Sequence, residues 1–157
     1  MGRMYMMKTM VEHFQNILDN TPFFWMKDDK VIRVKSGYAE NTLQTNTTEY
    51  CNIRGDVHGA VCTGLADGVM GIACFTLGKN VSTIDINGNY VRAVKGGEKL
   101  RGVGIVEHNG TRTMVATSRI YNEKGELVHV GRGTFYVLHN MELPDLPWSI
   151  IPEDTIE

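Results

Sequence analysis

The sequence predicts an α+β domain in which one antiparallel sheet wraps a single buried helix, and three observations carry that prediction. Residues 59–75 are almost wholly apolar, with Thr63 and Asp67 as the polar members. A helix apolar on all sides is a buried helix. Four β-rich runs follow it: Val81–Val94, Leu100–His108, Thr113–Tyr121 and Leu127–Leu138. Their separators, Lys95-Gly96-Gly97-Glu98, Asn109-Gly110 and Asn122-Glu123-Lys124-Gly125, are glycine-containing and of hairpin length. Successive strands are therefore expected to pair antiparallel, as a four-strand meander.

Taken in order, Tyr5 to Asp19 carries Met6, Met10, Phe14, Ile17 and Leu18 at mostly helical spacing and reads as an amphipathic surface helix. Thr21-Pro22 ends it, and the apolar run Phe23-Phe24-Trp25-Met26 is expected to pack on the domain. Val31 to Thr48 is β-branched and polar, predicting one or two edge strands broken near Ser36-Gly37. Asn87-Gly88 interrupts the first β-rich run and is expected to form a bulge or twist, because both flanks are too short for separate strands. Within the buried helix, Gly64, Gly68 and Gly71 are expected to let a strand or helix approach closely. The chain divides into an N-terminal helical segment (1–28), the main domain (29–139) and an extended, proline-containing tail (140–157) in which Trp148, Ile150 and Ile151 could serve as pins.

Composition removes several function classes. A chain of 157 residues with 42% hydrophobic and 22% charged content is one ordinary domain, able to bury roughly 70% of its unfolded surface. Its formal charge of −2 provides no global field for nucleic acid or an anionic membrane. The three cysteines, Cys51, Cys62 and Cys74, form no C-x-x-C pair, so reduced thiols and no metal site are expected. Polar residues interrupt the N-terminus before a signal-peptide stretch can form, which makes the cytoplasm the expected location. Nucleophile-elbow, zincin, P-loop and dinucleotide-binding motifs are all missing from the sequence.

The chemistry that remains centres on Asn52-Ile53-Arg54-Gly55-Asp56-Val57-His58-Gly59-Ala60, which feeds directly into the buried helix. Free N–H groups at Gly59 and Ala60, with the positive end of the helix dipole, are suited to a developing oxyanion. Asp67 is the lone charge of the helix, and an unpaired buried carboxylate costs several kcal/mol unless something compensates it. Judged from the helix alone, a purely structural hydrogen bond is as good an explanation as catalysis. Asp67 follows Gly59 by eight residues, about 12 Å of helical rise. Were the two to act on one carbonyl, they would have to come from two subunits related by a two-fold axis.

Asn52, Gly55, Val57-His58-Gly59, Leu65-Ala66-Asp67-Gly68, Gly71, Val81-Ser82-Thr83-Ile84-Asp85 and Tyr90-Val91-Arg92 together resemble the PaaI-like hotdog-fold acyl-CoA thioesterases. The resemblance covers roughly residues 31–137. It departs from the family at Ala60, where a second glycine is usual; alanine keeps the N–H but narrows the room beside the thioester.

The resemblance implies hydrolysis of an acyl-CoA to a carboxylic acid and free coenzyme A. In that scheme Asp67 is nucleophile or general base, Gly59 N–H is oxyanion donor, Asn52 positions the carboxylate or its water, and His58 shapes the thioester site. Thr83 would orient the attacking water. His58 could equally fix its loop, Thr83 could be an ordinary strand residue, and a one-residue register slip would substitute Ser82. Arg92, Lys95, Lys99, Arg112 and Arg132 are candidates for the coenzyme A phosphates, or are simply solvated. Coenzyme A is part of the substrate, so no cofactor is implied. The assembly implied is a homodimer, pairing further into a dimer of dimers. A non-catalytic acyl-CoA-binding sensor is the competing reading.

Overall fold

The computed structural model describes residues 8–20 and 27–148. Helix α1 spans Met10–Asp19, starting later than the apolar spacing implied, because Thr9 caps it by accepting a hydrogen bond from the Glu12 N–H. Thr9-x-x-Glu12 is a capping-box sequence, a start signal that the periodicity from Tyr5 obscured. Positions 5–7 and the Phe23–Met26 run lie outside the described residues.

Strands β1 (Asp29–Lys35) and β2 (Tyr38–Gln44) form a hairpin whose turn is made by Gly37 at φ 73°. Helix α2 spans Gly59–Phe75, as the apolar run predicts. Strands β3 (Lys79–Tyr90), β4 (Lys99–Asn109), β5 (Thr113–Tyr121) and β6 (Leu127–Asn140) complete one six-stranded antiparallel sheet.

The strand order is β1-β2-β4-β5-β6-β3, which corrects the meander. The chain after β3 does not turn back as a hairpin. It crosses the N-terminal end of α2, where Val57 N–H donates to Val94 C=O at 2.8 Å, and enters the sheet at β4 beside β2. The glycines in this connection serve loop packing: a Cβ on Gly96 would lie 2.2 Å from Cys51 Sγ, and Gly97 has φ 95°. Strand β3 is left as an edge, paired on one side with β6. Asn87-Gly88 is a regular part of β3, and the bulges fall at Asn80/Val81 and Thr83/Asp85 instead. Gly88 is needed for close approach, since a Cβ there would meet His129 Nε2 at 2.4 Å.

Leu65, Ala66, Val69 and Met70 of α2 are fully buried against the sheet. The close approach comes from the strand side. A Cβ on Gly102 would meet Leu65 Cγ at 3.2 Å, and one on Gly104 would meet the Val69 carbonyl oxygen at 2.5 Å. The expectation for the helix glycines is therefore corrected at Gly68 and Gly71: the former would meet only Asp29 Oδ2, at 3.8 Å, and the latter nothing within 4 Å. Nor is α2 buried on every side. Thr63, Gly64, Asp67, Gly68, Gly71 and Phe75 form a half-exposed stripe at helical spacing.

Helix α1 packs through Met10 and Phe14 on a second apolar cluster with Val31, Val34 and Ile72, joined by Leu143, Leu146 and Trp148 of the tail. Met10 N–H donates to Pro147 C=O at 2.9 Å, fixing the tail against the start of α1. Ile150 and Ile151 lie outside the described residues. Among the described residues no helix is long and apolar enough to cross a membrane.

Candidate active site

The loop before α2 is built around Asn52. Its Oδ1 accepts from Arg54 N–H at 2.9 Å and Asp56 N–H at 3.3 Å, while Gly55, at φ 75°, returns its N–H to Asn52 C=O at 2.9 Å. The asparagine oxygen is thus committed to the turn that delivers Val57 and His58 to the helix. His58 is the N-cap of α2, and its Nδ1 accepts from Ala60 N–H at 3.1 Å. Accepting at Nδ1 requires a neutral ring protonated at Nε2. Ala60 N–H is consequently occupied, correcting the expectation that both Gly59 and Ala60 are free. Among the described residues no acceptor faces Gly59 N–H, which stays available at the positive end of the helix.

Tyr90, at the end of β3, stands over Gly59. A Cβ on Gly59 would meet its ring carbons at 3.0 Å, and the phenol lies 2.7 Å from Thr63 Oγ1. Asn52, Arg54, Asp56, Gly59, Tyr90 and Arg92 line a cavity of about 370 Å³ at this end of the helix. The sequence pattern around Tyr90-Val91-Arg92 gives Tyr90 no role of its own; its position at the end of a strand facing the loop is the signal that marks it.

Asp67 lies two turns further along α2 and is half-exposed rather than sunk in the apolar interior. Thr83 Oγ1 donates to Asp67 Oδ1 at 2.7 Å. This contact identifies Thr83, and not Ser82, as the hydroxyl that faces the helix. The pair sits on the wall of a second cavity, of about 200 Å³, lined otherwise by apolar side chains and glycine. One chain therefore groups Asn52 with Gly59 and Asp67 with Thr83, and separates the two groups along the helix.

The five basic candidates do not form one cluster. Arg92 lines the Gly59 cavity and reaches Glu126 at 3.5 Å, while Lys95 pairs with Asp56 on the same rim. Arg54, which the sequence reading passed over, joins them and meets Asp56 at 3.4 Å. Lys99 is exposed at the start of β4, opposite Gln44. Arg112 occupies the β4–β5 turn at the opposite end of the sheet. Arg132 is exposed on the helix-free side of β6, since its neighbour Gly133 is the residue that packs towards Met70 of α2.

A buried carboxyl also went unrecognised. Asp29 is 3% exposed beneath Gly68, and Asn41 Nδ2 contacts its two oxygens at 3.0 and 3.1 Å. Burial pushes this carboxyl up to about 7, against the smaller opposing effects of Asn41 and Lys30. The polar run Lys27-Asp28-Asp29-Lys30 looks like a solvated turn, but the alternation Asp29, Val31 puts Asp29 on the inward face of β1.

Residues 54–138 match the family model described as the Thioesterase superfamily. A protein of Archaeoglobus fulgidus, named provisionally as an esterase, is 27% identical over 128 residues, covering 81% of this chain and 82% of its own. The PaaI protein from the phenylacetic acid degradation operon of E. coli superposes with a TM-score of 0.75 at 20% identity, covering 83% of this chain and 98% of that one. A hypothetical thioesterase of Streptococcus pneumoniae, solved with coenzyme A, gives a TM-score of 0.71 at 24% identity, covering 74% and 93%. That protein has also been crystallised with an aspartate, or a threonine sixteen residues later, replaced by alanine. Asp67 and Thr83 are likewise sixteen residues apart.

Proposed function

The chain belongs to the thioesterase superfamily and is a hotdog-fold thioester hydrolase, and on that premise we propose that it hydrolyses an acyl-CoA at a site assembled from two copies of the chain. Water and the thioester give a carboxylic acid and free coenzyme A, with no cofactor. The observation that carries this reading is the distribution of polar groups along α2: a free N–H at Gly59 and a hydrogen-bonded carboxylate at Asp67, each in its own cavity.

About 12 Å of helical rise separates the two groups, too far for one carbonyl. Two α2 helices running antiparallel across a two-fold axis would bring Gly59 of one copy to Asp67 of the other. Two features favour that pairing. The stripe bearing Asp67 is small and half-exposed, and β3 is a 12-residue edge strand, the kind of edge a second copy can cover. Ile105 and Tyr136, exposed on the sheet's outer face, suit further pairing into a dimer of dimers.

In this site the thioester oxygen accepts from Gly59 N–H, and its developing charge gains from the helix dipole. Asp67 either attacks the carbonyl carbon or takes a proton from a water that attacks it, and the carbon–sulfur bond breaks to release the thiolate. Thr83 orients the carboxylate. Asn52 and His58 act through the loop and cap that aim Gly59 N–H, which makes them positioning residues. Arg54 and Arg92 line the Gly59 cavity, Lys95 joins them through its pairing with Asp56, and the three supply charge for the coenzyme A phosphates. Three free cysteines suit the cytoplasm.

A thiol-release assay across short, medium, long and aryl acyl-CoA esters tests the proposal. Wild-type protein is expected to turn over at least one of them, and Asp67→Asn to lower the rate at least about a hundredfold with the dimer folded. Unchanged hydrolysis in Asp67→Ala would remove Asp67 from the mechanism. Tight acyl-CoA binding without turnover would identify a sensor.

A further inference from the structure

The start of α2 is short of donors for an oxyanion. Ala60 N–H is taken by His58 Nδ1 and Val61 N–H donates to His58 C=O at 2.9 Å, which leaves Gly59 N–H, alone of these three, to meet a carbonyl oxygen. Sites that stabilise a developing oxyanion combine several preorganised donors, and side chains, tyrosine among them, supply those that the backbone does not.

The Tyr90 hydroxyl is in position to be such a donor. Strand β3 ends at Tyr90, and a Cβ on Gly59 would lie 3.1 Å from its Oη. A Cβ is about 2.5 Å from its own backbone nitrogen, so Oη lies within about 5.6 Å of the Gly59 nitrogen. A single acceptor oxygen about 2.9 Å from an amide nitrogen and about 2.7 Å from a hydroxyl spans that distance. Gly59 and Tyr90 line the same cavity, so a carbonyl oxygen entering it can meet both groups.

Two contacts orient the phenol. Thr63 follows Gly59 by four residues, which puts the two on one face of α2, and its Oγ1 lies 2.7 Å from Tyr90 Oη. Either hydroxyl can donate to the other, and when Thr63 donates, the phenol hydrogen is released for a ligand. Behind the ring stands His129, the cross-strand partner of Tyr90, with ring centroids 5.1 Å apart. His129 is 1% exposed, and neither of its ring nitrogens has a hydrogen-bond partner among the described residues. It therefore meets Tyr90 through ring packing, and the hydroxyl stays free of it.

We propose that Tyr90 is a catalytic residue of the Gly59 half of the site: its hydroxyl is the second donor to the thioester oxygen, and Thr63 is the positioning residue that turns the phenol hydrogen towards the substrate. The inference rests on the acyl-CoA hydrolase reading above. The phenol keeps its proton and donates a hydrogen bond that strengthens as charge develops on the oxygen, so its effect falls on kcat rather than on KM.

The test measures kcat and KM for acetyl-, hexanoyl- and benzoyl-CoA in wild type, Tyr90→Phe, Thr63→Val and Thr63→Ser. Tyr90→Phe keeps the ring against His129 and over Gly59, and should lower kcat at least about tenfold with KM changed less than about twofold. Thr63→Val should give a smaller loss that Thr63→Ser restores, and in a Tyr90→Phe background it should change nothing further. An unchanged kcat in Tyr90→Phe, or a change confined to KM, overturns the proposal. A readout that needs no turnover is the infrared carbonyl stretch of bound, isotope-labelled ketone analogues of acetyl- and benzoyl-CoA, in which a methylene replaces the sulfur. A hydrogen bond to the oxygen lowers this frequency, so the band should lie higher in Tyr90→Phe than in wild type. A band that does not move overturns the donor even where kcat falls. The band shift in a wild type that hydrolyses no acyl-CoA would sink hydrolysis and keep the Tyr90 contact. A wild type that neither binds an analogue nor hydrolyses a thioester would overturn both.

Discussion

Thr83 Oγ1 donates a 2.7 Å hydrogen bond to Asp67 Oδ1, tying the middle of an edge strand to the half-exposed stripe of the central helix. A hydrogen bond to a charged group contributes about 1.5–3 kcal/mol. Thr83→Ala should therefore lower kcat about ten- to a hundredfold with little change in KM, and Thr83→Ser should restore most of it. In an Asp67→Asn background, the same alanine substitution should have almost no further effect. Steady-state kinetics of the double-mutant cycle measures this, and additive losses would show that the threonine acts independently of the carboxylate.

The glycines of the sheet and of the helix should respond oppositely to alanine. A methyl on Gly104 would lie 2.5 Å from the Val69 carbonyl oxygen and 2.7 Å from its carbon, both backbone atoms that cannot move without lifting α2. Gly104→Ala should cost about 3 kcal/mol. Within one chain Gly71→Ala meets nothing within 4 Å, so at concentrations where the protein is monomeric it should stabilise by up to about 1 kcal/mol through helix propensity. Urea midpoints at unchanged m-value report both.

Asp29 makes stability depend on pH in an unusual direction. Burial raises its folded-state pKa from 3.8 to about 7, so between these values the folded chain holds a proton that the unfolded chain releases. Its stabilising contribution is complete below about pH 4 and is lost as pH rises through 7, up to about 4 kcal/mol in all. His13 and His129 oppose it: burial lowers both, so their contribution is present above about pH 6.5 and lost on acidification. Comparing wild type with Asp29→Asn from pH 5 to 8 by urea denaturation isolates the carboxyl. The variant should lose the decline and be the more stable of the two at pH 8, and parallel curves would exclude a raised pKa.

How much of this was legible before the structure depends on the range of the interaction. Helix α2 and the β1–β2 hairpin follow from local pattern, because an apolar run and a glycine at positive φ are decided by nearest neighbours. The passage from β3 to β4 is not local. Residues 95–98 have the length and glycines of a hairpin, yet β3 ends at Tyr90 and the 91–98 connection contacts Val57, Cys51 and Val128, all distant in sequence. Composition likewise marked Asp67 as unusual but could not show its exposure, which depends on the glycine stripe beside it being left uncovered by the sheet. The Ala60 N–H looked free for the same reason: His58 Nδ1 folds back on it, and nothing in the spacing required that rotamer.

Gly59 allows the shared site to be tested by complementation. His58 has φ −62° and ψ 136°, a conformation that tolerates a following proline, and proline at the first position of a helix is favourable. Gly59→Pro therefore removes the N–H while leaving α2 capped. The new ring crowds Tyr90 at 3.0 Å, but that side chain is 59% exposed and has room to yield, so Tm should fall by only a few degrees. Loss of the oxyanion donor should lower kcat about a hundred- to a thousandfold. Asp67→Ala should be equally inactive alone. Mixed and refolded in equal amounts, the two variants should regain about a quarter of wild-type activity, because half the dimers are mixed and each mixed dimer holds one intact site. An inactive mixture that contains verified mixed dimers would mean that Gly59 and Asp67 serve the same chain's site, and the two-copy mechanism would fall.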